Sequence, residues 1–348
     1  MTDELVVAVT GVSGLLGQRL LPLLDASPQV DRIIGLDVRD PARQARKLEF
    51  HRVDVLSTDL VPYLRDVSAI VHLAAVIGPL PDDTLFTRVN VDGMRRVLEA
   101  ANRTGVKKIV RPSSTAVYGA WGNNPIPITE DAPLRPSPGY LPAIVDGECE
   151  RLLAEWASAD AARVATRLRI APIVGGGASS LFAAVATGRA PVRVRGASPP
   201  VQVVHIDDAA AALELTTTLD LDGAYNVAAD GWLAYEEAGA MLPGARIPGG
   251  RVPALAEGLA TRVLTVGWST GLGDAPPALV PYLMHPWVVA NDRLKAAGWK
   301  PAHSNEEALL LATGAPERSL VPWLAAAGAV TAGAAVGTWW MTRRRGRG

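Results

Sequence analysis

An α/β chain organised around a doubly wound parallel sheet is the architecture to which three features of this sequence point. Short apolar runs alternate with amphipathic helical stretches from residue 5 to residue 170. A glycine-rich turn, Thr10-Gly11-Val12-Ser13-Gly14-Leu15-Leu16-Gly17, joins the first run to the first helix. An acidic residue, Asp37, closes the second run. Strands buried on both faces read as continuous apolar runs, and helical crossovers between them keep neighbours parallel.

Taken in order, the expected strands are 5–10, 32–36, 50–55, 69–73 and 108–112, with helices over 14–24 and 84–104 among them. A helix beginning near Pro142 leads to a further strand over 164–170. Beyond that point glycine and proline punctuate shorter elements. Residues 203–206 and 224–227 read as strands returning to the main sheet, and 255–266 and 305–312 as helices of a smaller lobe. The expected division is an α/β domain over 1–172, a substrate lobe over 173–315, and a hydrophobic helix with a basic tail over 316–348.

Composition narrows the possibilities. A formal net charge of −1 over 348 residues gives no general attraction to nucleic acid. The single cysteine, Cys149, excludes an intramolecular disulfide and reads as a packed helix thiol. His51, His72, His205, His285 and His303 are scattered without metal-ligand spacing, so no metal is expected. The acidic start, Met1-Thr2-Asp3-Glu4, lacks a secretory signal's basic region, and a cytoplasmic domain is expected.

The tail differs in kind. Residues 319–342 carry no charge, and Arg343-Arg344-Arg345-Gly346-Arg347 follows. A helix of that length spans about 36 Å, enough to cross a hydrocarbon core. Trp323 and Trp339-Trp340 sit near its ends as interface anchors. Gly333 and Gly337 have the spacing that lets two such helices meet, so a homo-oligomer and membrane association through 320–341 are expected.

The glycine turn carries the chemistry of a dinucleotide site. Glycine is required where the chain turns tightly, where backbone meets a pyrophosphate, and where helix packs on strand. The helix start then offers unpaired N–H groups at Leu15, Leu16 and Gly17 to the phosphates. Asp37 lies about 20 residues further on, as a ribose-binding carboxylate does in a Rossmann domain. Its charge repels a 2′-phosphate, so NAD is expected over NADP, although Arg39 could take that phosphate. Asp54 and Val55, closing the third strand, are placed to meet the adenine.

With these residues the chain resembles the extended short-chain dehydrogenase/reductases, the NAD-dependent epimerases and dehydratases. Further motifs follow in the family's order: His72-Leu73-Ala74-Ala75, Asn90-Val91-Asp92-Gly93, Ser113-Ser114-Thr115-Ala116-Val117-Tyr118-Gly119, Arg169–Gly175, His205-Ile206-Asp207-Asp208 and Tyr225-Asn226-Val227. The resemblance covers residues 5–312 and implies an NAD-binding Rossmann fold, with Leu73, Ala74, Ala75, Asn90 and Ser113 against the cofactor. It also implies hydride transfer on a hydroxylated substrate, either a nucleotide sugar or, given the apolar tail, a lipid-like or steroid-like alcohol or ketone.

Members of that family use a tyrosine with a lysine four residues later. The lysine's charge makes the phenol a usable acid and base and grips the nicotinamide ribose. Tyr140 takes the tyrosine position and Ser114 the substrate-binding hydroxyl, but Ile144 stands for lysine, with Glu148 and Arg151-Leu152-Leu153 setting the register. No lysine occurs between Lys108 and Lys295. Thr115-Ala116 also lacks the acidic pair of the sugar dehydratases. Two readings therefore stand: an oxidoreductase or epimerase, and a non-catalytic NAD-binding sensor or membrane-associated scaffold. Arg189, Arg193 and Arg195 could bind a substrate diphosphate or line a solvated strand edge.

Overall fold

The computed structural model describes residues 4–78, 83–178, 192–241, 246–247, 250–251 and 254–312. Among them, seven parallel strands form the main sheet. These are β1 (Leu5–Thr10), β2 (Val30–Asp37), β3 (Leu48–Arg52), β4 (Ala69–His72), β5 (Lys108–Ser114), β6 (Val164–Ile170) and β7 (Gly223–Val227). Their spatial order is β7-β6-β5-β4-β1-β2-β3. The winding direction reverses between β1 and β4, and a crevice opens there at the carboxyl ends of the strands.

Alternate side chains of each strand enter different cores, which is why both faces need helices. Val7, Val9, Val71, Val110 and Leu168 pack under α1 (Leu15–Ala26) and α4 (Ile206–Thr218). Ala8, Ile34, Ile70, Ile109 and Ala165 pack under α2 (Gly93–Thr104) and α3 (Leu141–Ser158). A third cluster joins the head of α3 to the lobe, where Tyr140 and Ala143 meet Val192, Leu264, Leu279 and Tyr282.

Three expectations need correction. The helix expected over 84–104 is broken into Asp83–Thr87, a π-helical turn over Arg88–Asp92, and α2. That wide turn brings Asn90 inward, where its amide donates to the Val76 carbonyl at 3.1 Å and accepts from the Val76 N–H at 2.9 Å. Residues 203–206 do not return to the main sheet. Val204–His205 pairs instead with Ile173–Val174, because β7 already holds the edge beside β6. The lobe helix expected over 255–266 runs over Glu257–Ser269, after the short strand Ala254–Leu255.

Among the described residues no helix is long and apolar enough to cross a membrane. The hydrophobic helix expected over 319–342, with Gly333 and Gly337, lies outside the described residues, as does Arg189.

Candidate functional site

The glycine loop sits in the crevice between β1 and β4. Gly11 has φ +73°, and a β-carbon there would lie 2.6 Å from the Ala74 nitrogen. One on Gly17 would lie 2.5 Å from the Val12 carbonyl oxygen, and one on Gly14 3.1 Å from that of Gly11. The loop, the β4 turn and the start of α1 are thus packed at backbone distance. Gly14 caps α1 without a side-chain hydrogen bond, so the first-turn N–H groups of Leu15, Leu16 and Gly17 face the crevice uncapped.

Asp37 is buried at the end of β2. Its carboxylate accepts from the Ser13 N–H at 2.9 Å and from the Arg39 N–H at 3.0 Å. The Ser13 hydroxyl donates to the Arg39 carbonyl at 2.6 Å, tying the glycine loop to the β2 end, while the Arg39 side chain is exposed. Asp54 is exposed and holds its own turn, accepting from the Leu56 N–H at 2.9 Å and the Ser57 hydroxyl at 3.1 Å. Val55 beside it is buried.

The turn after β4 is fixed from below. Leu73 donates to the Thr10 carbonyl at 2.9 Å and the Ala74 N–H to the Thr10 hydroxyl at 3.2 Å. That hydroxyl also meets His72 Nδ1 at 2.7 Å. Burial, and then the nearby Arg111 charge, hold the His72 ring down at about 3, so it is neutral near pH 7. Ala75 is exposed in the crevice, and Asn90 braces the turn through Val76.

At the end of β5 the hydroxyls are engaged. Ser113 donates to Glu150 at 2.6 Å, and the half-buried Ser114 accepts from the Ala116 N–H at 3.1 Å. Tyr140 is only 2% exposed, its ring tilted against Tyr282 with centroids 5.1 Å apart. Burial, followed by unfavourable electrostatics from neighbouring Tyr282 and Asp146, pushes its phenol well above the ordinary range. Tyr282 in turn donates to the Ala116 carbonyl at 2.9 Å. Ile144 is 40% exposed, and Glu148, one turn on, pairs outward with Arg151 at 2.7 Å.

The polar face that α3 turns toward β5 is a different one. Asp146 accepts from Arg111 at 3.0 Å, and Glu150 pairs with Arg169 of β6 at 2.8 Å. These carboxylates stand four residues apart and share a helix face, on which the preceding turn carries Pro142. Arg169 also donates to Tyr118 Oη at 2.7 Å, and that hydroxyl donates to Asn226 at 2.8 Å. Sequence reasoning missed this buried network, although arginines inside the apolar runs of β5 and β6 were its signal.

The remaining candidates are occupied elsewhere. Arg193 lies 6.0 Å from the Tyr235 ring centroid and Arg195 is exposed. The His205 ring stacks on His303 at 4.0 Å, and Asp208 accepts from the Ala302 and His303 N–H groups, a structural clasp. Among the described residues no cluster of metal-ligating side chains is present. Cys149 is buried in α3, and burial raises its thiol to about 11.

Comparison with known proteins agrees with this geometry. An uncharacterized protein of Mycobacterium tuberculosis is 28% identical over 244 residues, covering 67% of this chain and 64% of that protein. The UDP-glucose 4-epimerase of Mycolicibacterium smegmatis is 33% identical over 154 residues, or 40% of this chain and 48% of the epimerase. Among solved structures, MoeE5 in complex with UDP-glucuronic acid and NAD superposes with a TM-score of 0.67 at 22% identity, covering 88% of this chain and 97% of that one. The UDP-glucose 4-epimerase of Thermus thermophilus, in complex with NAD, gives 0.67 at 21% identity, covering 89% and 98%. At these identities the structural likeness is one of fold. The family model for the NAD dependent epimerase/dehydratase family matches residues 7–228, more than half of the sequence, and the chain belongs to that family.

Proposed function

We propose that this chain binds NAD and does not carry out the hydride and proton transfers of its relatives. The fit for the dinucleotide rests on the glycine cradle, where added β-carbons would strike backbone, on the uncapped start of α1, and on the fixed Asp37 carboxylate. When bound, the nicotinamide supplies a hydride acceptor and donor. Asp37 meets the adenosine ribose and disfavours NADP by its charge. Residues 73–75 and the β5 end line the remainder of the crevice.

The observation that carries the non-catalytic reading is the face of α3 turned to β5. It bears Pro142, Asp146 and Glu150, with no tyrosine and lysine four apart. The register set by Tyr140 gives no dyad either, since Ile144 follows it. A phenol near its ordinary value is ionised to about one part in a thousand at pH 7, and the burial of Tyr140 lowers that further. Ser114 favours the second reading, hydride transfer on a nucleotide sugar or another hydroxylated substrate, because its hydroxyl stands half-buried at the β5 end. That reading still needs a base.

Thermal unfolding with and without cofactor tests the binding claim. NAD at 100-fold above its dissociation constant is expected to add about 2.7 kcal/mol and to raise the melting temperature by several degrees. Asp37→Ala should remove most of that rise, and NADP should give less than NAD. A melting temperature indifferent to NAD in the wild-type chain would contradict the proposal.

The uncharged run over 319–342 and its arginine-rich end support attachment of the chain to a membrane surface or bilayer, with Gly333 and Gly337 available for pairing two such segments.

A further inference from the structure

The two halves of the crevice are unequally equipped. At the adenosine and diphosphate end stand the glycine cradle, the uncapped helix start and Asp37. At the opposite end, around the carboxyl ends of β4 and β5, the buried charges among the described residues are already matched. Arg111, 5% exposed, donates to Asp146 at 3.0 Å and to the Pro112 carbonyl at 3.0 Å. Arg169 is saturated by Glu150, Tyr118 and the Glu130 carbonyl. His72 is neutral against Thr10. The lysine of β5, Lys108, lies at that strand's far end, bonded to the Leu219 carbonyl at 2.7 Å and to Asp220 at 3.1 Å.

Oxidised and reduced nicotinamide differ by one positive charge on the ring. A protein separates them through unbalanced charge near that ring or through groups that fix its ribose. Here buried Arg111 faces the half-buried Asp146 and buried Arg169 faces the buried Glu150, one to one, and Tyr140 is packed against lobe residues such as Tyr282. Ser113 is turned away toward Glu150.

We propose that the ligand recognised by this site is the ADP-ribosyl half of the dinucleotide, bound almost equally as NAD, NADH or free ADP-ribose. The inference rests on the reading of the glycine loop and Asp37 as a dinucleotide site. It deepens that reading by making the site blind to redox state: the chain responds to total adenine dinucleotide, not to the ratio of its oxidised and reduced forms.

Calorimetric titration of the full-length chain with NAD, NADH, ADP-ribose and AMP tests this. The first three dissociation constants are expected to agree within about threefold, with AMP weaker by about tenfold or more for want of the second phosphate and ribose. A preference of about tenfold or more for NAD or NADH over ADP-ribose, or between NAD and NADH, overturns the inference and leaves the cofactor reading standing. Binding by none of the four overturns both.

Discussion

Glu150 holds three elements together, since its carboxylate accepts from Ser113 of β5 and from Arg169 of β6 while its own backbone is in α3. Glu150→Ala leaves the Arg169 guanidinium buried without its anion. A loss of about 3–5 kcal/mol is expected in urea unfolding. His72 gives a second residue-scale test. Its folded value, about 3, lies below the ordinary 6.5, so the unfolded chain takes up the proton first as pH falls. Stability is therefore lost on acidification from near 6.5 toward 3, by about 2 kcal/mol at pH 5. His72→Asn should flatten that part of the wild-type pH profile, which melting curves between pH 7 and 5 will register.

At this scale the sequence was readable where backbone demands a residue type. Gly11 and Gly17 stand where a side chain cannot fit, and Asp37 stands where two N–H groups converge. Hydroxyls were harder. Ser113 looked like a crevice residue, yet its partner is Glu150 beneath it, because alternation along a strand does not say which face carries the buried acid. Glu148 set the register of α3 in the sequence, yet it pairs outward, and Glu150 is the glutamate buried against Arg169. Two glutamates two residues apart, Glu148 and Glu150, offer two alignments, and only packing distinguishes the outward one from the buried one.

Among the elements, α1 and α3 illustrate opposite uses of glycine. Gly17 in α1 lies against the backbone of Gly11 and Val12, whereas nothing lies within 4 Å of a β-carbon built on Gly147 in α3. Gly17→Ala is expected to destabilise by about 2 kcal/mol or more, since backbone must move. Gly147→Ala should stabilise by about 0.5–1 kcal/mol, the helix-propensity difference alone. Equal effects in chemical denaturation would contradict the close packing at the loop. Long apolar runs made the central strands visible from the sequence. The broken helix at Arg88–Asp92 was not visible, because a π turn preserves helical composition while shifting its phase.

For the molecule as a whole, the alternation of elements pointed to a doubly wound parallel sheet, whereas the strand order and the reversal between β1 and β4 come from the structure. The lobe was less legible. Its short strands and glycine- and proline-rich joints carry little periodicity, and its core is closed by contacts far apart in sequence, such as Tyr140 with Tyr282. The tail makes its own prediction. Removing residues 319–348 should shift the protein from the membrane fraction to the supernatant on cell fractionation, and an unchanged distribution would remove the case for attachment.

Binding without turnover is the central claim, and proton NMR of a nucleotide sugar examines it most directly. UDP-glucose would be incubated with a stoichiometric amount of the full chain saturated with NAD, at pH 7 and over many hours. The expected spectrum shows the sugar unchanged at every carbon. Growth of the C4 epimer, or of a keto sugar, would show that the crevice moves a hydride after all and would contradict the non-catalytic reading of α3.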